Sequence, residues 1–210
     1  MNMMSSSIVV VATQNKGKVR EFTHALASLG KEVRSMFDYP DLPEVVEDGA
    51  TFAENALKKA KTVGDALGIP VLADDSGLCV DRLDGAPGVY SARYAGESAT
   101  DADNNAKLLD ALERLQMGED TDQTLLSTAR FVCCLVLYDP ATGLAITTEG
   151  SVDGWITSQP SGNAGFGYDP LFYLPTHNKT MADITIEEKQ AISHRGEALR
   201  KLVDQLNLNT

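Results

Sequence analysis

Ile8-Val9-Val10-Val11-Ala12 is a continuous apolar run that stops abruptly at the polar stretch Thr13-Gln14-Asn15-Lys16-Gly17-Lys18. A run with no polar alternation is the pattern of a strand buried on both faces of a parallel sheet. Val19, Phe22, Leu26 and Leu29 then recur at spacings of three and four, the inward stripe of a helix, with Gly30 where a left-handed C-cap is expected. Strand, polar loop and helix in this order open an α/β fold.

Further along, Thr51 with Glu54 makes a capping box for a second helix whose inner stripe is Phe52, Ala56, Leu57, Ala60, Val63 and Leu67, ended by Gly68 and Pro70. Val71-Leu72-Ala73 is a short strand running into Asp74-Asp75-Ser76-Gly77. A third helix begins near Thr100 and presents Leu108, Leu109, Leu112 and Leu115, and Gly118 to Asp122 is an acidic, polar loop. Phe131 to Tyr138 and Leu144 to Thr148 flank the turn Asp139-Pro140-Ala141-Thr142-Gly143, a β-hairpin pattern. The glycine-rich loop Pro160 to Pro170 leads to a short strand over Leu171 to Leu174. Thr185 and Glu188 form a second capping box before Ile192, Leu199, Leu202 and Leu206, although Ser193 offers an alternative start for a separate last helix. Parallel units followed by a meander predict a mixed sheet flanked by helices, with no internal repeat and no linker dividing the chain.

The 210 residues, 43% of them hydrophobic, suffice for one compact domain, built whole or as two lobes. Thirty acidic against 18 basic residues give a formal charge of −12, which repels a polyanion and disfavours nucleic-acid binding through a basic face. A small phosphate ester remains compatible where a few lysines gather and a divalent cation screens the carboxylates. The three cysteines, Cys79, Cys133 and Cys134, lie in apolar runs and read as buried thiols, the adjacent pair pointing to opposite faces of a strand. Met1 to Ser7 lacks the basic and apolar regions of a secretion signal, and no apolar run approaches the roughly 20 residues of a membrane span. The expectation is a cytoplasmic protein in a reducing compartment.

Asp74 and Asp75 follow a strand whose C-terminal end is where open α/β sheets bind ligands, and alternation would send the two carboxylates to opposite sides. Their mutual repulsion suits a hard cation such as Mg²⁺, which takes one or two carboxylates together with substrate phosphates; a plain Asx turn fits the same four residues. Thr13 to Lys18 offers backbone N–H groups at a helix start with Lys16 and Lys18 beside them, a phosphate cradle or simply a solvated turn. It is not a Walker loop, because Ala12 and Val19 stand where that motif needs Gly and Ser or Thr. His24, His177 and His194 are too scattered for a zinc site, and no Gly-x-Ser-x-Gly elbow occurs. His194-Arg195-Gly196 at a helix start could read a ligand oxygen or form a surface pair. Phe166 in its glycine loop could stack on a nucleobase or pack on the core.

Taken together, these motifs resemble the inosine triphosphate pyrophosphatase family from Ile8 to about Leu206. Thr13-x-Asn15-x-x-Lys18, Ala73-Asp74-Asp75-Ser76-Gly77-Leu78 and the stretch Gly85 to Tyr94 carry the resemblance, completed by Gly165-Phe166-Gly167-Tyr168-Asp169-Pro170 and Ser193-His194-Arg195-Gly196. Gln14 stands where bacterial relatives often have Gly. The resemblance implies a mixed central sheet flanked by helices, two lobes about an active-site cleft, and a single catalytic domain over residues 8–210 after a disordered leader, 1–7. It implies hydrolysis of deaminated purine nucleoside triphosphates to monophosphate and pyrophosphate, Mg²⁺ as cofactor, and a homodimer with no nucleic-acid or membrane partner.

By the same resemblance, Asp75 is general base and metal ligand, with Glu47 and Asp74 as further metal-site carboxylates. Thr13, Gln14, Asn15, Lys16, Gly17, Lys18, Lys58, Ser76 and Lys189 contact the substrate. Phe166 stacks on the base within Gly167, Tyr168 and Asp169, while His194 and Arg195 read its edge. An arginine carries only donors, so it suits a 6-keto purine and meets adenine's amino group donor against donor. The competing readings are a broader nucleotide phosphohydrolase releasing orthophosphate and a nucleotide-binding regulator that does not cleave.

Overall fold

The computed structural model describes residues 6–116 and 124–208. The first five residues of the expected leader and the loop Gly118 to Asp122 lie outside them. Within the described residues, the Ser6 carbonyl accepts from Lys31 Nζ at 2.8 Å and the Ser7 carbonyl accepts from Glu32 N–H at 2.8 Å.

Seven strands form one mixed sheet in the order β2-β1-β3-β4-β5-β6-β7. Strands β1 (Ile8–Ala12), β2 (Glu32–Ser35) and β3 (Val71–Val80) are parallel, with Val11 opposite both Ser35 and Leu72. A hairpin then joins β4 (Leu125–Asp139) to β5 (Leu144–Thr157), and β6 (Phe172–Leu174) and β7 (Lys179–Thr180) add antiparallel strands. The chain divides into two compact units, one of residues 1–75, 133–150 and 190–210, the other of residues 76–132 and 151–189.

In the first unit, strand alternation sorts the core into two layers. Val9, Val11, Leu72, Cys133, Leu135 and Leu137 pack against Phe22 and Leu26 of α1 (Lys16–Ala27) and Leu199 and Leu202 of α5 (His194–Leu208). Val10, Ala12, Val71, Ala73, Cys134 and Val136 pack against Ala56, Ala60 and Val63 of α2 (Phe52–Leu67). The expected split of Cys133 and Cys134 onto opposite faces is therefore what the two layers contain.

The second unit holds α3 (Asp101–Gln116) and the first residues of α4 (Ile186–Ile192), with Leu108, Leu112, Leu126, Leu171 and Met181 buried. The Phe131 and Phe172 rings lie 4.4 Å apart there, a tilted aromatic pair.

Local signals explain most boundaries. Thr51 Oγ1 accepts from Glu54 N–H and caps α2, while Gly68, at φ 68°, closes it with its N–H on the Gly64 carbonyl. Thr185 and Glu188 exchange both capping-box bonds before α4, and Ser193 Oγ accepts from Gly196 N–H, so the chain makes two C-terminal helices. Several expectations change, among them the hairpin strands, which are longer than expected: β4 begins at Leu125 and β5 runs to Thr157. Gly30 takes the expected left-handed conformation at φ 67° with its N–H on the Ala27 carbonyl, but regular α1 ends at Ala27 and Leu29, expected inward, is left 45% exposed. Strand β3 does not stop at Ala73 but runs ten residues to Val80, keeping Asp74 and Asp75 inside the sheet beside the long β4. Cys79 is half-buried, whereas Cys133 and Cys134 are buried.

Candidate active site

Asp74 and Asp75 occupy consecutive positions of β3, so they face opposite layers of the first unit. Asp74 lies on the side of α1 and α5 and is completely buried. Its carboxylate pairs with Lys18 of α1, accepts from Arg195 Nε of α5 at 3.1 Å, and accepts from the Cys133 thiol at 3.0 Å. Burial alone would push the Asp74 carboxyl up; Arg195 and Lys18 overcome it and hold the carboxyl well below the usual range. Arg195, 3% exposed, also pairs through Nη1 with Glu21 of α1.

Asp75 lies on the α2 side. Asn55 Nδ2 donates to its Oδ2 at 3.1 Å, and the side-chain Oδ1 of Asn55 accepts from Gly49 N–H at 2.7 Å, which places the segment carrying Glu47. Lys59 Nζ donates to the Asp74 carbonyl at 3.1 Å and pairs with Glu47 Oε1 at 2.9 Å. Burial pushes Asp75 up to about 6, against the pull of Lys59 and Lys18 and with added repulsion from Glu47 and Asp74. One carboxyl is thus fixed as an anion holding cations, and its neighbour is poised near neutrality.

The loop Thr13 to Lys18 is built by its own side chains. Thr13 Oγ1 accepts from Asn15 N–H at 3.1 Å, and Asn15 Oδ1 accepts from Lys18 N–H at 3.0 Å to cap α1. Gln14, Asn15 and Lys16 are exposed and Gly17 is half-buried, so the first turn of α1 presents N–H groups outward while Lys18 turns inward to Asp74.

In the second unit, Asp169 is 3% exposed and organises the glycine loop. Its Oδ2 accepts from Phe166 N–H at 2.9 Å and from Lys189 Nζ at 2.5 Å, and that ammonium lies 5.0 Å from the Phe166 ring centroid. Gly165 has φ 77°, and a Cβ there would collide with the Asp169 carboxylate. The Tyr168 hydroxyl donates to the Ser91 carbonyl at 2.8 Å; burial raises its phenol. Ser76 follows Asp75 in β3 and is half-buried.

Several expected roles change on this geometry. Asp74 does not stand open to a cation: both oxygens are turned onto Lys18, Arg195 and Cys133, so it positions those groups. Lys58 is not turned to the acidic pair but pairs with Asp48 on the exposed side of α2. Lys59 takes that place, 7% exposed, and Asn55 joins it at 1%. Both lie on the stripe begun by Phe52 and Ala56, at steps of three and four, so the helical period already marked them. Arg195 commits Nε and Nη1 to Asp74 and Glu21, and its guanidinium ties α5 to β3 and α1. Asp169 and Tyr168 are buried and hold the loop. His194, beside Arg195, is buried at 5%.

Among the described residues no cluster of three or more His, Cys, Asp or Glu side chains forms a metal cage. Asp75 and Glu47 nevertheless fit a hard divalent cation, which takes as few as one or two carboxylates when phosphate oxygens and water complete its shell. Their mutual repulsion and the raised carboxyl of Asp75 are what a cation would relieve. Among the described residues no helix is long and apolar enough to cross a membrane.

Fold and site together define a mixed α/β protein whose acidic strand is served by lysines from helices on both faces. Residues 9–205 match the model of the Ham1 family, and the chain belongs to it. It is 52% identical over 197 residues to a dITP/XTP pyrophosphatase of Geobacillus kaustophilus (strain HTA426), covering 94% of this chain and 93% of that one. A dITP/XTP pyrophosphatase of Geobacter sulfurreducens (strain ATCC 51573 / DSM 12127 / PCA) is 52% identical over 198 residues, covering 94% of this chain and 96% of the relative. A HAM1 protein from Coxiella burnetii superposes with a TM-score of 0.81 at 40% identity, over 95% of this chain and 98% of that chain.

Proposed function

We propose that this protein is a Mg²⁺-dependent nucleoside triphosphate pyrophosphatase acting on deaminated purine nucleotides such as dITP, ITP and XTP. Relatives at 52% identity over nearly their whole length bear the name dITP/XTP pyrophosphatase. The observation that carries the reading is the arrangement on the α2 side of β3, where Asn55 Nδ2 donates to Asp75 and Lys59 bridges the Asp74 carbonyl and Glu47. A carboxylate at this position, beside Glu47 and flanked by Asn55 and Lys59, can accept the proton of a water attacking the α-phosphorus.

In this reading Asp75 accepts the proton of the attacking water at its carboxylate. Lys59 and the N–H groups of the first turn of α1 hold the triphosphate, with Thr13, Asn15 and Lys16 as further contacts. Asp74 keeps Lys18 oriented. Phe166 stacks on the base, Lys189 lies against its ring, and Ser76 and His194 contribute substrate contacts, while Arg195 holds Asp74 and Glu21 in place. Asp75 and Glu47 would hold Mg²⁺, which when bound would neutralise charge developing on the leaving pyrophosphate. The protein is proposed to work in the cytoplasm as a homodimer.

The deciding experiment incubates the purified protein with dITP, ITP, XTP, GTP and ATP, with Mg²⁺ or with EDTA, and measures pyrophosphate and orthophosphate separately. The expected result is Mg²⁺-dependent pyrophosphate release, fastest from the 6-keto deaminated nucleotides. Orthophosphate as the product, or equal turnover of ATP, would overturn the reading.

A further inference from the structure

Phe166 sits in a loop with glycine on either side, Gly165 and Gly167, a sequence that by itself leaves a ring free to wander. The backbone of Phe166 and Gly167 is nonetheless engaged at each N–H and carbonyl. The Phe166 N–H donates to Asp169 Oδ2 at 2.9 Å, and its carbonyl accepts from Asp169 N–H at 3.3 Å. The next peptide is gripped from α3: Gly167 N–H donates to Asp101 Oδ2 at 2.7 Å, and Asn105 Nδ2 donates to the Gly167 carbonyl at 3.0 Å. Asp101 and Asn105 are one helical turn apart, so both reach the same residue from one face.

Helix α3 is itself fixed for this task. Thr100 and Asp103 exchange capping-box bonds at its start, and Asn104 binds the Ala92 carbonyl and the Ala95 N–H. Asn105 keeps its donor on Gly167 although its Oδ1 is buried and accepts no hydrogen bond from the described residues. Turning the amide over would set Oδ1 against the Gly167 carbonyl, acceptor against acceptor. A buried acceptor without a donor costs stability, so retaining Asn here points to a use other than stability.

We propose that Asp101 and Asn105 are positioning residues that preset the Phe166 ring for stacking on the substrate base, acting through the Gly167 peptide. The proposal rests on the reading that Phe166 stacks on the base. Fixing a ring before the ligand arrives removes an ordering cost from binding, so the effect falls on affinity more than on the chemical step.

The test is a kinetic cycle with ITP as substrate, using Asn105→Ala, Phe166→Ala and the double variant, with thermal unfolding of each. Asn105→Ala should raise KM about fivefold, the change that loss of one hydrogen bond of ordinary net worth carries, with kcat within about threefold. Its melting temperature should stay at the wild-type value. In the Phe166→Ala background the second substitution should change KM by less than about twofold, because its only route is through the ring. Asp101→Ala should raise KM in the same way, and Asp101→Asn, which keeps an acceptor for Gly167 N–H, should recover most of it. Additive effects in the double variant, or an unchanged KM in a folded Asn105→Ala protein, would overturn the proposal while leaving stacking intact. A folded Phe166→Ala protein with unchanged KM would instead remove the stacking reading, and this proposal with it.

Discussion

Asp74 and Asp75 are joined by one peptide bond, yet their carboxyls lie on opposite faces of β3 and are driven in opposite directions. Asp74, enclosed by Arg195, Lys18 and Cys133, is held well below the usual carboxylate range, whereas burial pushes Asp75 up to about 6. The sheet separates a carboxyl locked in ion pairs from one raised by burial with the smallest step a strand allows.

The pair should therefore separate stability from turnover. Asp74→Ala leaves a buried guanidinium without its main partner and should cost about 3–5 kcal/mol of stability. Asp75→Asn keeps an acceptor for Asn55 and removes a poorly solvated charge. It should leave the unfolding midpoint near wild type while lowering kcat by at least about a hundredfold, the lower range for acid–base catalysis. Urea unfolding and steady-state kinetics on both variants check this; a kcat within threefold of wild type for Asp75→Asn would remove its role as base.

Lys58 and Lys59 are the second adjacent pair with divergent fates. Lys58 makes an exposed ion pair with Asp48, with 44% and 64% of the two side chains accessible, which is worth little. Lys59 is buried against the Asp74 carbonyl and Glu47. Lys59→Met should lower kcat/KM about a hundredfold, as loss of one preorganised charge at a phosphate does, while Lys58→Ala stays within about threefold. Equal losses in the two variants would contradict this assignment of the phosphate ligand.

What the sequence made legible follows from which forces are local. The capping residues Thr51, Thr185 and Ser193 and the stripes of α1 and α2 announce themselves within a few residues, because capping and burial repeat at the helical period. The length of β3 did not, since Asp74-Asp75-Ser76-Gly77 carries turn residues. They stay in a strand because Lys18, Arg195, Asn55 and Lys59 arrive from three helices to compensate the acids. Arg195 was legible as a donor group but not as one committed to Asp74 and Glu21, residues 121 and 174 positions away. Lys59 and Asn55 lay in plain view on the α2 stripe; polarity alone hid them, because an inner stripe is read by its apolar members.

The cysteines give a check of the fold that does not depend on activity. Burial pushes the Cys133 thiol well above its ordinary range and Cys134 up to about 11. A raised pKa means less thiolate, so neither should react as the pH goes from 7 to 9, below both values. Cys79 is only half-buried. Titration of the native protein with an aromatic disulfide reagent at pH 8 should therefore find one reacting thiol, abolished by Cys79→Ser, and three after unfolding in guanidinium. Fast reaction of Cys133 or Cys134 in the native protein would contradict the packing of β4 between two helical layers.

Arg195 holds Asp74 and Glu21 at once, and that geometry needs a planar fork with donors on two edges. Removing it as Arg195→Ala strands two carboxylates, one fully buried and one 12% exposed, and should cost about 3–5 kcal/mol. Arg195→Lys keeps the charge but, as a single point donor, reaches one carboxylate at a time and should restore only part of that loss. Glu21→Gln combined with Arg195→Ala should cost less than the sum of the single changes, with a coupling of about 0.5–3 kcal/mol. Urea unfolding of the four proteins measures each term. A loss below about 1 kcal/mol for Arg195→Ala would show that the guanidinium does not tie α5 to the acidic strand.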